Sequence, residues 1–154
     1  MSRVVLDCSA AVNIVRQTEE GLLLASLIGM AEVQEVVAPQ LFYAEVASAF
    51  SKYYRVGTMD HEGATARAEQ SVRLVNRFVP LDELAAEALG ESLRLGHSVY
   101  DMFYFVLARR LDAILLTGDR RLRALCEKNG VRCSLRYRLR DGADLRDEGA
   151  WKKA

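Results

Sequence analysis

Four short apolar runs, Val4-Val5-Leu6, Val33-Gln34-Glu35-Val36-Val37-Ala38, Phe78-Val79-Pro80-Leu81 and Ala113-Ile114-Leu115-Leu116-Thr117, are each followed by residues with helical spacing. That alternation limits the chain to few architectures. Strands that are apolar throughout, with little alternation, are buried on both faces, as in parallel sheets covered by helices. Right-handed crossovers bring the strand-to-helix loops to one edge of such a sheet, and ligands bind at the carboxyl ends of its strands.

The intervening patterns predict helices from Ser9 to Arg16, from Glu19 to Met30, and from Gln40 to Arg55, the last opened by Pro39. Thr58 is the expected cap of a helix reaching Asn76, and Asp82 of one reaching Leu95 and ending at Gly96. Further helices are expected over residues 97–110 and from Gly118-Asp119 to Asn129-Gly130, with a short fifth strand at Val131-Arg132-Cys133. From Met102 to Ala108 every side chain is apolar or aromatic, so the helix over 97–110 is expected to be buried.

A chain of 154 residues with 51% hydrophobic and 27% charged residues suits one globular domain and excludes wholesale disorder. No apolar run approaches a membrane span, and the amino terminus enters a strand at once instead of offering a secretory signal. Cys8, Cys126 and Cys133 are odd in number and lack a C-x-x-C pair, which fits buried thiols in a reducing, cytoplasmic setting. With only His61 and His97, neither spaced with a cysteine, a zinc site is not expected. The net charge is zero but unevenly spread. Residues 1–131 hold 14 Lys and Arg against 17 Asp and Glu, while residues 132–154 hold 7 against 4. An acidic body with a basic tail could join a charged site to a phosphate-gripping extension; an ordinary solvated carboxyl terminus is the plainer alternative.

The acids repay attention at the strand ends. Asp7 ends the first strand, Asp119 follows the fourth, and Asp101 lies at the head of a helix whose start should face the same edge. Each could merely cap a helix, and Ser98-Val99-Tyr100-Asp101 fits a capping box. Glu45 caps nothing. It is mid-helix in PQLFYAEVASAFSKYY, between Leu41 and Ala49 on a side that also carries Phe42, Val46 and Tyr53. A carboxylate turned to an apolar face needs a partner or an ion, and the weak ion pair available from Lys52 is the rival explanation. Four converging carboxylates raise one another's pKa and call for a counter-ion. All-oxygen ligands select a hard ion, Mg²⁺ or Mn²⁺, and the chemistry natural to such a site is phosphodiester hydrolysis.

The segments VVLDCSA, PQLFYAEVASAF, SVYDMFYFVLA and LLTGDRRL, in this order and spacing over about residues 3–133, resemble the PIN-domain ribonucleases, and most closely the VapC toxins of toxin–antitoxin pairs. The resemblance implies a three-layer α/β/α sandwich around a short parallel sheet, with a nuclease domain at 1–133 and a basic extension of it at 134–154. It implies a Mg²⁺- or Mn²⁺-dependent endoribonuclease whose acidic ligands fall on Asp7, Glu45, Asp101 and Asp119. Ser9, two residues past the first acid, and Thr117 are the expected hydrogen-bonding support. Where the family often has an asparagine three residues after the glutamate, this chain has Ser48. An RNA substrate, a cognate antitoxin protein and a homodimer are further implications.

Other readings remain open at this stage: an RNA-processing or structure-specific nuclease, a catalytically silent module of the same fold, or a phosphoacceptor domain. The last needs a lysine late in the sheet, where this chain has Thr117 and Cys133. Arg136, Arg138 and Arg140 recur every second residue, as an RNA-backbone track or as a charged edge strand. Arg120, Arg121 and Arg123 adjoin Asp119 and could meet phosphates or simply face water. Phe42, Tyr43, Phe50, Tyr53 and Tyr54 are expected in core and dimer interface, and His97 in a surface or capping role, with a general acid the sharper alternative.

Overall fold

The computed structural model describes residues 2–30 and 32–133. Arg136, Arg138 and Arg140 lie outside these residues. The described chain runs β1 (Ser2–Leu6), α1 (Cys8–Val15), α2 (Glu19–Ile28), β2 (Val33–Pro39), α3 (Leu41–Arg55), α4 (His61–Arg73) and β3 (Arg77–Val79). A 3₁₀ turn (Leu81–Glu83), α5 (Ala85–Leu95), α6 (Val99–Leu111), β4 (Ile114–Leu116) and α7 (Arg120–Lys128) complete it.

The four strands form one parallel sheet in the order β3-β2-β1-β4. Val4, Val5 and Leu6 pair with Ile114, Leu115 and Leu116 on one side, and Arg3, Val4 and Val5 with Glu35, Val36 and Val37 on the other. Helices cover both faces, giving the expected three-layer α/β/α sandwich. α6 packs along β1, β2 and β4 with α5 behind it, which is why its middle is apolar all round: Tyr104, Phe105 and Val106 are fully buried. Cys8, Cys126 and Cys133 are all buried in the core. Phe42 and Phe50 belong to the core, whereas Tyr43 and Tyr54 are exposed.

The order of the strands explains where a site can form. From β1 the chain proceeds outward through β2 and β3, then returns to place β4 on β1's other flank. The carboxyl ends of β1 and β4 therefore flank the point where the winding reverses, and a crevice opens there. The amide of Asp7 donates to Leu116 O at 2.9 Å, fastening the end of β1 to β4 at that point.

Several local expectations are corrected. Pro39 closes β2 opposite Val79 instead of opening α3, and the amide of Gln40 continues the ladder to Val79 O. Asp60, not Thr58, caps α4, accepting from the Gly63 amide at 2.6 Å, while the Thr58 hydroxyl donates to Tyr53 O. Asp82 lies within the 3₁₀ turn, and α5 starts after Leu84. The expected fifth strand reduces, among the described residues, to a single bridge between Leu115 and Cys133. The Ser98 capping box does not form: its side chain makes no cap hydrogen bond.

Candidate active site

Asp7, Glu45, Asp101 and Asp119 line one cleft of about 710 Å³, with Ser9, Asn13, Ser48, Tyr53 and Tyr100 among its other walls. Residues separated by up to 112 positions in sequence thus meet where the sheet's winding reverses. Each acid is held differently.

Asp7 follows β1 and is 5% exposed. Its Oδ2 accepts from Thr117 Oγ1 at 2.6 Å and from Ser9 Oγ at 2.8 Å. Ser9 and Thr117 therefore occupy the supporting positions expected of them. The same hydroxyls tie in the β4–α7 loop: Gly118 N donates to Ser9 Oγ at 2.9 Å and Asp119 N to Thr117 Oγ1 at 3.0 Å. Although Asp7 stands at the start of α1, its side chain makes no cap hydrogen bond.

Glu45 is half-buried on α3 and turned into the cleft. Its partner is not Lys52 but the buried phenol of Tyr104 on α6, which donates to Oε1 at 2.6 Å. Burial, with the two acids behind it, drives the Tyr104 pKa far up, so the hydroxyl remains a donor.

Asp101 is no helix cap. His97 Nε2 stands 2.7 Å from Oδ2, and whenever the carboxylate is ionised it is the imidazole N–H that donates, since a carboxylate only accepts. His97 is itself fixed at the end of α5, where Gly96 adopts a left-handed φ of 63° and Ser92 Oγ donates to His97 O at 2.6 Å. The histidine side chain is only 9% exposed, which replaces the expected surface role with one directed at Asp101. Asp119 does cap a helix: Oδ1 accepts from the amides of Arg121 and Leu122 at 2.8 and 3.1 Å.

The electrostatics are those of crowded acids in a poorly solvated place. Burial raises the Asp7 carboxyl to about 6, against the pull of its two hydroxyl partners, and nearby Asp101 adds to the rise. Burial likewise raises Glu45 to about 7, with Asp7 and Asp101 contributing. Asp101 is also raised, by burial first, with His97 opposing and Asp119 reinforcing. Cys8, beside them, is pushed up to about 12 by burial and by Asp7 and Glu45, which makes it an inert wall and no thiolate ligand.

The donors facing this cleft are hard oxygens, a set that fits Mg²⁺ or Mn²⁺ and not a soft ion. Among the described residues no three Asp, Glu, His or Cys side chains stand close enough to form a ready-made ligand cage. One oxygen of each acid is engaged: Asp7 by Ser9 and Thr117, Glu45 by Tyr104, Asp101 by His97 and Asp119 by the α7 amides. The arrangement is four separately supported carboxylates lining one cleft.

The basic residues divide. Arg120 and Arg121 are exposed beside Asp119. Arg123 is not available to a phosphate: it is 5% exposed and pairs with Glu20. Arg132 pairs with Asp112. His97 and Tyr104 are the functional candidates that sequence reasoning did not assign to the acids.

A family model described as PIN domain matches residues 4–128. Ribonuclease VapC1 from two strains of Mycobacterium tuberculosis is 31% identical to this chain over 124 residues, covering 80% of the chain and 91% of the relative. A crystal structure of PAE2754 from Pyrobaculum aerophilum aligns with a TM-score of 0.59 at 21% identity, covering 80% of this chain and 84% of that one. This last likeness concerns the fold alone.

Proposed function

Because the chain belongs to the PIN-domain family, we propose that it is a metal-dependent endoribonuclease whose Mg²⁺ or Mn²⁺ is held by Asp7, Glu45, Asp101 and Asp119. The observation that carries the proposal is the shared cleft: all four acids line it at the reversal point of the sheet, and burial and mutual repulsion raise three of them. Such carboxylates hold protons or a cation, and a divalent ion satisfies them at neutral pH.

When bound, the ion supplies an activated water and neutralises charge on the phosphate. The chain's own residues do the rest. Ser9 and Thr117 fix the rotamer of Asp7, Tyr104 fixes Glu45, His97 fixes Asp101, and the α7 amides fix Asp119. Preorganised oxygens lose little freedom on binding an ion. Arg120 and Arg121, exposed next to Asp119, meet RNA phosphates. From sequence alone, Arg136, Arg138 and Arg140 in the basic 134–154 extension are assigned the same kind of contact.

The relatives named Ribonuclease VapC1 support the narrower reading of a toxin in a toxin–antitoxin pair. It carries with it an antitoxin protein that covers the cleft, a homodimer, and a cytoplasmic location. Among the described residues no helix is long and apolar enough to cross a membrane.

The test is purified protein with total RNA and Mn²⁺ or Mg²⁺, beside Asp101→Asn purified identically. Cleavage by the wild type, stopped by chelation and absent from the variant, is expected. Equal cleavage by both proteins overturns the assignment, and RNA binding without cleavage in either makes the protein a silent module.

A further inference from the structure

Behind the cleft lies an ion pair that the proposed chemistry does not use. Arg123 on α7 and Glu20 on α2 are 5% and 7% exposed, and Arg123 Nη1 reaches Glu20 Oε1 at 3.3 Å and Thr117 O at 3.4 Å. Burying such a pair brings little stability, because the cost of removing both charges from water offsets their attraction. What the guanidinium does provide is a junction: one nitrogen, Nη1, stands within reach of both a carboxylate and a main-chain carbonyl.

The groups it joins are the supports of the site. Thr117, whose carbonyl Arg123 approaches, is the residue whose hydroxyl serves both Asp7 and the amide of Asp119. Gly118 follows, and the loop passes close to Glu20: a Cβ built on Gly118 would stand 3.5 Å from Glu20 Oε1, 3.5 Å from Ser9 Oγ and 3.0 Å from Asn13 Nδ2. The backbone next to Glu20 is closely packed. Its neighbour Gly21 presses against α1 so closely that a Cβ there would lie 1.9 Å from Asn13 O. The pair thus anchors the Thr117–Asp119 loop to the α1–α2 hairpin, which carries Ser9 at its other end.

We propose that Glu20 and Arg123 are positioning residues, a buried latch that sets the Thr117–Asp119 loop, and with it Asp7 and Asp119, in place for the cation. This rests on the reading of the cleft as a cation site, so its test has one arm that needs no ion. The double variant Glu20→Leu/Arg123→Met leaves no unpaired buried charge and should melt cooperatively like the wild type. In it, NMR-detected exchange of the Gly118 and Asp119 amides, which are hydrogen-bonded to Ser9 and Thr117, should quicken about tenfold or more, and Mn²⁺ affinity measured by electron paramagnetic resonance should fall about tenfold. Arg123→Lys, which keeps the charge and one donor nitrogen, should give smaller changes of both kinds. Exchange within twofold of wild type in the double variant and in Arg123→Lys overturns the latch, whatever the ion affinity. Faster exchange with undiminished Mn²⁺ affinity overturns the positioning role. If the wild type itself takes no Mn²⁺, the cation reading fails, and the exchange arm still decides whether the latch exists.

Discussion

Replacing Asp7 by asparagine should make the metal-free protein more stable, the reverse of what removing a well-bonded buried side chain usually does. Asp7 is 5% exposed, and its carboxyl is raised from 3.8 to about 6. Keeping it ionised at pH 8 therefore costs the folded state about 3 kcal/mol. Asparagine is nearly isosteric and uncharged, and its oxygen can still accept from Ser9 and Thr117. The figure of about 3 kcal/mol already contains the pull of those hydroxyls on the ionised form, and the amide NH₂ group that asparagine buries offsets about 1 kcal/mol of it. The net expectation is about 2 kcal/mol of stabilisation, a melting temperature roughly 4–8 °C higher for a domain of this size. The sign follows the pH. A carboxyl whose folded pKa exceeds its unfolded value gives stability that is present below pH 3.8 and is lost as pH rises through about 6. The advantage of Asp7→Asn should accordingly vanish near pH 4 and be complete by about pH 7. Thermal melts of both proteins in chelator, from pH 4 to 8, measure it. The same melts with millimolar Mn²⁺ should reverse the ranking, since only the wild type gains from the ion. A variant less stable than wild type at pH 8 in chelator would refute the claim that Asp7 is held ionised at a cost.

Other perturbations follow from the supports around the acids. Tyr104→Phe deletes the hydroxyl that favours ionised Glu45, whose carboxyl stands at about 7, so the pH at which Mn²⁺ affinity is half-maximal should move upward; a calorimetric pH series checks this. His97→Leu should lower Mn²⁺ affinity by about tenfold or more while His97→Gln, which can still donate, loses less, as read by titration calorimetry. Gly21→Ala forces a methyl into the backbone of Asn13 and should cost about 3 kcal/mol in urea denaturation. Gly90→Ala, in α5 with nothing within 4 Å, should instead add about 0.5–1 kcal/mol.

Much of this molecule was readable from local pattern. The uninterrupted apolar runs specified buried parallel strands, and the crossover rule placed Asp7, Asp101 and Asp119 at one edge, where they are found. Glu45 stood out because a mid-helix acid on an apolar side has no local reason to be there. The partners were harder. Tyr104 lies 59 residues from Glu45, and nothing in a helix that is apolar all round marks one phenol as a donor. His97 was hidden by Ser98, whose capping spacing offered Asp101 a sufficient local explanation. Since the Ser98 side chain makes no cap bond, the contact that formed instead is the one to His97, across the turn made by Gly96. In sequence Arg123 shares a basic cluster with Arg120 and Arg121. Its burial depends on Glu20, 103 residues away, and on α7 turning Leu122, Arg123 and Cys126 inward together. The cap of α4 falls on Asp60, two residues past Thr58, and α5 starts after Leu84 without a side-chain cap because Asp82 is taken up in the 3₁₀ turn.

The most direct test is to count the protons expelled as Mn²⁺ binds at pH 6, by titration calorimetry in two buffers of different ionisation enthalpy. With Asp7 at about 6 and Glu45 at about 7, binding should release about one proton or more per ion, and Glu45→Gln should both bind more weakly and release fewer. Binding that releases no protons, with Glu45→Gln indistinguishable from wild type, would show that these carboxylates do not share a cation.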